Sequence, residues 1–270
     1  HCEHALNSLD HLVVIDIFLT ETAALADVVL PATAFAETDG VVTNTERRVQ
    51  RVRAAVSSPG EANPDWWIIS QLAQRMKIPG FDYSEPQEVF NELCSVSPIY
   101  AGLNWDRVAQ GEYHWPVPDA EHPGTPILHQ EEFINGRGVF SIVNYRDPQE
   151  TISAQFPIWL TTGRRLASYH TRTQTGRAEG IDYLLAEEAL EVNPLDLQEW
   201  GLDDGEWCQL ASARGSVKIR AKSTNRSPRG TVFASFSFSD VPINMLTGSG
   251  YDPITDTAEL KVCPVRVDLL

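Results

Sequence analysis

Residues 160–177, LTTGRRLASYHTRTQTGR, end an apolar run at Gly163 and then set hydroxyls and cations side by side. Thr161, Thr162, Thr171 and Thr173 supply hydroxyl donors, and the Arg164 guanidinium is a two-pronged partner for phosphate. Gly163, with no Cβ, lets the backbone approach a ligand closely. The combination suits a polyanion, although a surface turn rich in Thr and Arg has the same composition. The formal net charge of -16 makes any such ligand depend on local cations. Two clusters stand against that acidic background: Arg47, Arg48, Arg51 and Arg53, and Arg164, Arg165, Arg172 and Arg177. The first reads more simply as a solvated face balanced by nearby acids.

Other chemistries lack a signature. Cys2, Cys94, Cys208 and Cys263 are far apart and form no C-x-x-C pair, so spacing offers neither a zinc nor an iron–sulfur site and suits a reducing compartment. His1, Cys2 and His4 could be drawn as metal ligands, but a disordered or helical terminus is the plainer reading.

The elements that must position these residues change character along the chain. Residues 11–16, HLVVID, form a continuous apolar run closed by a carboxylate, as in a strand covered on both faces of a parallel sheet. Residues 20–23 open a short helix and residues 26–31 make the next strand, an α/β rhythm. Asn63, Pro64 and Asp65 read as a cap, first-turn proline and first-turn acid. They precede an apolar helical face of Ile68, Ile69, Leu72, Ala73 and Met76. Ser84 and Gln87 resemble a capping box for a helix bearing Val89, Phe90 and Leu93. From Ser95 to about Gln155 periodicity fades into a long irregular connection. After Pro157 the pattern is strands with one helix, from the Asn193-Pro194 cap to Trp200 with Gly201 as its left-handed stop. Alternation of Cys208, Leu210 and Ser212, then Val217, Ile219 and Ala221 across a turn, implies a small barrel.

At 270 residues the chain should hold about two domains, and 42% apolar residues fit a globular protein. No apolar run is long enough for a membrane span, and the acidic balance opposes binding to nucleic acid. The opening HCEH has neither signal-peptide character nor an initiator Met, which suggests a chain that has lost its beginning. A cytoplasmic location is expected, with an export signal left open.

Residues 160–166 and 169–171, then Glu191-Val192-Asn193-Pro194 and residues 201–205, closely resemble the C-terminal dinucleotide-binding domain of the molybdenum or tungsten bis-pterin oxidoreductases. Residues 16–23, 26–31, 44–50 and 122–129 resemble formate dehydrogenase catalytic subunits, so the similarity covers nearly the whole chain. The resemblance implies a Rossmann-like α/β portion over residues 1–155 and a double-psi-type β-barrel dinucleotide-binding domain over residues 156–270. It sets Thr162, Gly163, Arg164, Arg165, Leu166, Ser168, Tyr169, His170 and Thr171 against a molybdopterin guanine dinucleotide (bis-MGD) carrying Mo or W. Phe236, Asn244 and Lys261 also match ligand positions, and Asp65 matches a carboxylate that accepts from the guanine amino group. Taken singly, Phe236 is as readily core, Lys261 a surface charge and Asp65 a helix cap. Ser168 stands where many relatives have His, and Gln174 where Met is frequent, which puts pterin contacts in doubt but not the domain.

Family members carry their [4Fe-4S] cysteines, the Cys or selenocysteine metal ligand and a catalytic His and Arg further towards the N-terminus. None is present here, so no catalytic residue is assigned and this chain is not expected to react alone. The implied function is formate oxidation to CO2. Implied partners are the remainder of the catalytic subunit and electron-transfer subunits with iron–sulfur clusters or flavin. The alternatives are a nitrate reductase or another member, and, in a different class, a non-catalytic cofactor-binding or assembly module. Retention of Thr162, Gly163, Arg164, Asn244 and Lys261 together argues against a ligand-free role.

Overall fold

A computed structural model describes residues 2–270; His1 lies outside the described residues, and Cys2 and His4 sit on a short helix, α1 (Cys2–Leu6). The described residues hold no cluster of three His, Cys, Asp or Glu able to bind a metal, and no helix long and apolar enough to cross a membrane. The chain divides into two compact units, His1–Phe140 and Ser141–Leu270.

In the first unit, β1 (Val13–Asp16) pairs in parallel with β2 (Val28–Pro31) across a single 3-10 turn at Ala23–Leu25. Thr20 Oγ1 accepts from the Ala23 N–H at 3.2 Å and starts that turn. The parallel pairing is as expected, but the double cover is not: Val13, Val28 and Val29 remain exposed, because no layer among the described residues packs on them. A second sheet joins β3 (Gly40–Thr43), β4 (Arg48–Val52) and β5 (Tyr113–His114), all antiparallel.

Helix α2 (Asp65–Arg75) starts at Pro64, and the Asn63 side chain does not cap it; its amide donates to the Glu61 carbonyl at 2.9 Å. Ile68 and Ala73 are buried, whereas Ile69, Leu72 and Met76 form an apolar stripe on the open side. Helix α3 (Pro86–Val96) closes its N-terminus one residue later than expected. Glu88, not Gln87, accepts from the Ser84 N–H at 2.7 Å and hydroxyl at 3.1 Å. The supposed irregular connection is ordered as far as Val117. Helix α4 (Trp105–Gln110) is capped by Asn104, and Leu103, Val108 and Val117 build the core with Val49, Phe90 and Cys94. Short apolar segments separated by polar ones hid this packing from a periodicity reading.

The second unit is a closed barrel of β6 (Ile158–Gly163), β7 (Ala189–Val192), β8 (Trp207–Ser212), β9 (Gly215–Ser223), β10 (Thr231–Ser235) and β11 (Val262–Leu269), ordered β10-β6-β11-β8-β9-β7. A two-residue period fills it: Leu160, Leu210, Ile219, Val232 and Val265 all point inward and are fully buried. Closure removes the exposed sheet edge. Two further helices, α5 (Glu179–Asp182) and α6 (Pro194–Trp200), interrupt the strands. Helix α6 has the expected ends, an Asn193 side chain accepting from Leu195 N–H at 3.0 Å and Gly201 at φ 67°.

Candidate dinucleotide site

Strand pairing gathers the site. Strands β6 and β10 run parallel, with Gly163 opposite Ser235, so their C-terminal ends lie together. Strand β11 runs antiparallel to β6, Val262 opposite Thr161, which brings Lys261 to the same end. Ligands commonly bind where loops leave the carboxyl ends of parallel strands.

Phe236 sits at the centre of this end. Arg164 lies over its ring at 5.6 Å and Lys261 at 5.8 Å, and the His170 ring meets it edge-on at 5.6 Å. Neither Arg164 nor Lys261 has a carboxylate partner among the described residues. His170 at φ 49° and Arg172 at φ 61° both take the left-handed backbone that non-glycine residues rarely adopt, as strained functional loops do. Leu166, Tyr169 and Thr171 in the same loop are exposed. The Ser168 and Ser237 hydroxyls are buried without a hydrogen-bond partner, an arrangement that costs free energy until something joins them.

The expected glycine role is different in detail. A Cβ on Gly163 would stand 2.8 Å from Phe233 Cε2, so the residue is kept small by its own barrel wall. Thr162 is turned inward, its hydroxyl donating to the Leu260 carbonyl at 2.5 Å.

Arg165 faces away from the loop. Its Nε and Nη2 donate to Glu188 Oε1 at 3.0 and 2.6 Å, Nη1 to Glu191 Oε1 at 2.6 Å, and Nη2 to the Ala189 carbonyl at 2.8 Å. Burial opposes the charged guanidinium, but the two carboxylates outweigh it and raise its pKa above the ordinary arginine value. Arg172 pairs with Asp182 and lies 4.1 Å over Phe238. Two of the four arginines of this cluster are therefore already neutralised within the protein. The first arginine cluster is already engaged within the protein, but only Arg48 matches the expected solvated face balanced by acids, and the Arg51 side chain is 9% exposed. Arg47 donates to the Thr125 and Pro126 carbonyls, Arg48 pairs with Glu46 and Glu112, and Arg51 stacks on Trp105 at 3.3 Å.

Asn244 stands on the 3-10 turn Ile243–Met245, with its side chain exposed. Asp65 is the exposed first residue of α2 in the other unit. Sequence reasoning missed Glu188 and Glu191, and also Arg226, which has no side-chain partner among the described residues. Arg226 shares with Arg164, Leu185 and Phe233 a cleft of about 490 Å³ on the outer barrel wall. The available signal was an acid just before, and another inside, a strand otherwise made of apolar residues.

Comparison with known proteins identifies the family of both parts of the chain. The Molydopterin dinucleotide binding domain model matches residues 158–264, and the Molybdopterin oxidoreductase model matches residues 1–75. The chain is 46% identical over 99% of its length to F420-dependent formate dehydrogenase 2 subunit alpha of Methanococcus maripaludis, covering 40% of that protein. It is 35% identical over 97% of its length to the Assimilatory nitrate reductase catalytic subunit of Bacillus subtilis, covering 39% of it. Acetylene Hydratase from Pelobacter acetylenicus shares the fold with a TM-score of 0.74 at 19% identity, over 98% of this chain and 41% of that one. The chain thus spans about two fifths of the length of the curated relatives it matches. With both family models matched in one chain and a barrel whose strand ends collect the matched loop, the protein belongs to the molybdopterin oxidoreductase family.

Proposed function

We propose that this chain holds a molybdopterin guanine dinucleotide for a formate dehydrogenase catalytic subunit. The observation that carries the reading is the convergence of unpaired Arg164 and Lys261 with His170 around Phe236. In an acidic chain, cations left without carboxylates at strand ends favour a polyanion.

The donor set fits the group. Arg164 would meet the pyrophosphate as a fork and Lys261 as a point charge. Phe236 offers a face for a ring, and Asn244 has both a donor and an acceptor for a heterocycle edge. The unpartnered Ser168 and Ser237 hydroxyls are two further donors at the loop. Leu166, Tyr169, His170 and Thr171 line the exposed loop beside them, while Thr162 and Gly163 shape its root. Asp65, the exposed first residue of α2, would accept from the guanine amino group. Arg165 acts mainly through the wall, because four of its five N–H donors are taken by Glu188, Glu191 and the Ala189 carbonyl. For function the division stays at residues 155 and 156, ahead of the strand that opens the matched domain.

When bound, the pterin-held Mo or W supplies the two-electron chemistry of formate oxidation. The residues of this chain bind and orient the dinucleotide. Electron-transfer subunits carrying iron–sulfur clusters or flavin would take the electrons onward, and a cytoplasmic location suits the free thiols. Identities of 42–46% to three F420-dependent formate dehydrogenase alpha subunits favour formate over nitrate.

The test is Arg164→Ala in the holoenzyme. Metal and guanine released on denaturation should fall together; unchanged cofactor content defeats the site assignment. Formate-driven dye reduction set against nitrate reduction decides the substrate.

A further inference from the structure

The loop from Asn244 to Lys261 carries one proposed ligand contact at each end, and beyond its own buried side chains it is held by Arg214, Glu150 and Gln149. Arg214, in the turn between β8 and β9, donates from Nε and Nη2 to the Leu246 carbonyl at 3.0 and 2.8 Å. The same guanidinium grips Glu150 with Nη1 to Oε1 at 2.5 Å and Nη2 to Oε2 at 2.8 Å. Gln149 continues the brace: its N–H donates to Glu259 Oε2 at 3.0 Å, and its side-chain amide to the Tyr251 carbonyl at 3.1 Å.

The loop is shaped to receive these partners. A Cβ on Gly248 would lie 3.0 Å from Glu150, and one on Gly250 would lie 2.8 Å from Glu259 and 3.2 Å from Gln149. Ile243 and Leu246 are fully buried in the barrel core on either side of Asn244. The Thr247 hydroxyl donates to the Asn244 carbonyl at 2.9 Å. Backbone before and after Asn244 is therefore fixed, and the fixing point after it is a carbonyl that takes both its side-chain bonds from Arg214.

We infer that Arg214, braced by Glu150, is a positioning residue that orients Asn244 towards the heterocycle of the dinucleotide. It does not touch the ligand. A planar fork can bind a carboxylate on one edge and a carbonyl on another at the same time, and no other side chain offers that geometry. The inference rests on the proposed contact of Asn244 and deepens it.

The experiment is a double-mutant cycle on the holoenzyme, reading the rate at which guanine dinucleotide is lost during incubation, with Asn244→Ala, Arg214→Ala and both together. Each single change should speed loss by about tenfold, in the range seen when groups that orient ligating residues are removed. The double variant should lose dinucleotide no faster than Asn244→Ala alone, because Arg214 acts through Asn244. Arg214→Lys keeps the charge and one bond to the carbonyl but loses the fork to Glu150, and should fall between wild type and Arg214→Ala. It is measured alongside so that the result does not depend on the alanine variant folding. Multiplying effects in the double variant, or a silent Arg214→Ala and Arg214→Lys, overturns the positioning role while leaving Asn244 as a contact. A silent Asn244→Ala overturns the contact itself, and the positioning role with it.

Discussion

Replacing Arg165 by Met would remove the cation that pairs with two buried carboxylates and leave both behind. Glu188 is fully buried and the Arg165 and Glu191 side chains are 13% and 12% exposed, so water cannot take over. Glu191 would lose the bond its carboxylate makes, while Glu188 would keep only the Ala189 N–H and the Ser235 hydroxyl. Breaking a buried pair from one side costs about 3–5 kcal/mol, because the stranded charge has no compensation. In a urea titration of the 270-residue chain, with a slope near 2 kcal/mol/M, that is a midpoint lower by about 2 M for the barrel transition. Arg165→Met combined with Glu188→Gln and Glu191→Gln removes all three charges and should recover most of the loss. A single variant within about 1 kcal/mol of wild type would refute the reasoning, placing the pair in the weak class of exposed bridges. So would a triple variant no better than the single one.

Gly163→Ala should cost about 1–3 kcal/mol by pressing Cβ onto Phe233, and Phe233→Leu should relieve it; a neutral Gly163→Ala would return the glycine to a purely ligand-facing role. Burial pushes the Cys94, Cys208 and Cys263 thiols up to about 11 from an ordinary 9.0, so native alkylation at neutral pH should label Cys2 alone by mass spectrometry. The raised folded value makes the stability from these thiols complete below about pH 9 and lost as pH rises towards 11, at about 1.4 kcal/mol per thiol per pH unit. A urea midpoint flat across that window, or native labelling of Cys208, would contradict the burial.

What the sequence disclosed was what neighbours along the chain decide. Asn193, Pro194 and Gly201 bound a helix by local chemistry, and the alternation of Val217, Ile219 and Ala221 needs no distant partner to be read. Loop residues 163–171 were likewise recognisable from type and order. The missed features all depend on distance. The parallel pairing of β6 with β10 joins residues about seventy positions apart, and only that pairing puts Phe236 beside Arg164. The slip from Gln87 to Glu88 at the α3 terminus shows the limit at the local level. Both can accept from a helix start, and backbone geometry selects one.

Arg164 and Arg165 are adjacent and chemically identical, yet the fold gives them opposite duties. Beyond Gly163 successive side chains diverge, and Arg165 turns back over the barrel wall to Glu188 and Glu191 on the strand side. Arg165 binds Oε1 of both carboxylates, and the Ser235 hydroxyl takes Glu188 Oε2. Arg164 consequently keeps its charge available, with only the Phe236 face beneath it. Anchoring one cation with two buried acids also fixes the root of the loop in a single place, because a guanidinium held through four bonds has no second arrangement of equal energy. In a chain of net charge -16, an unpaired arginine at a defined position is unstable against capture by a surface carboxylate unless the nearest acids are already committed. The Arg165 network commits Glu188 and one oxygen of Glu191, so Arg165→Met in the holoenzyme should lower the guanine released on denaturation, and unchanged guanine content would refute this role.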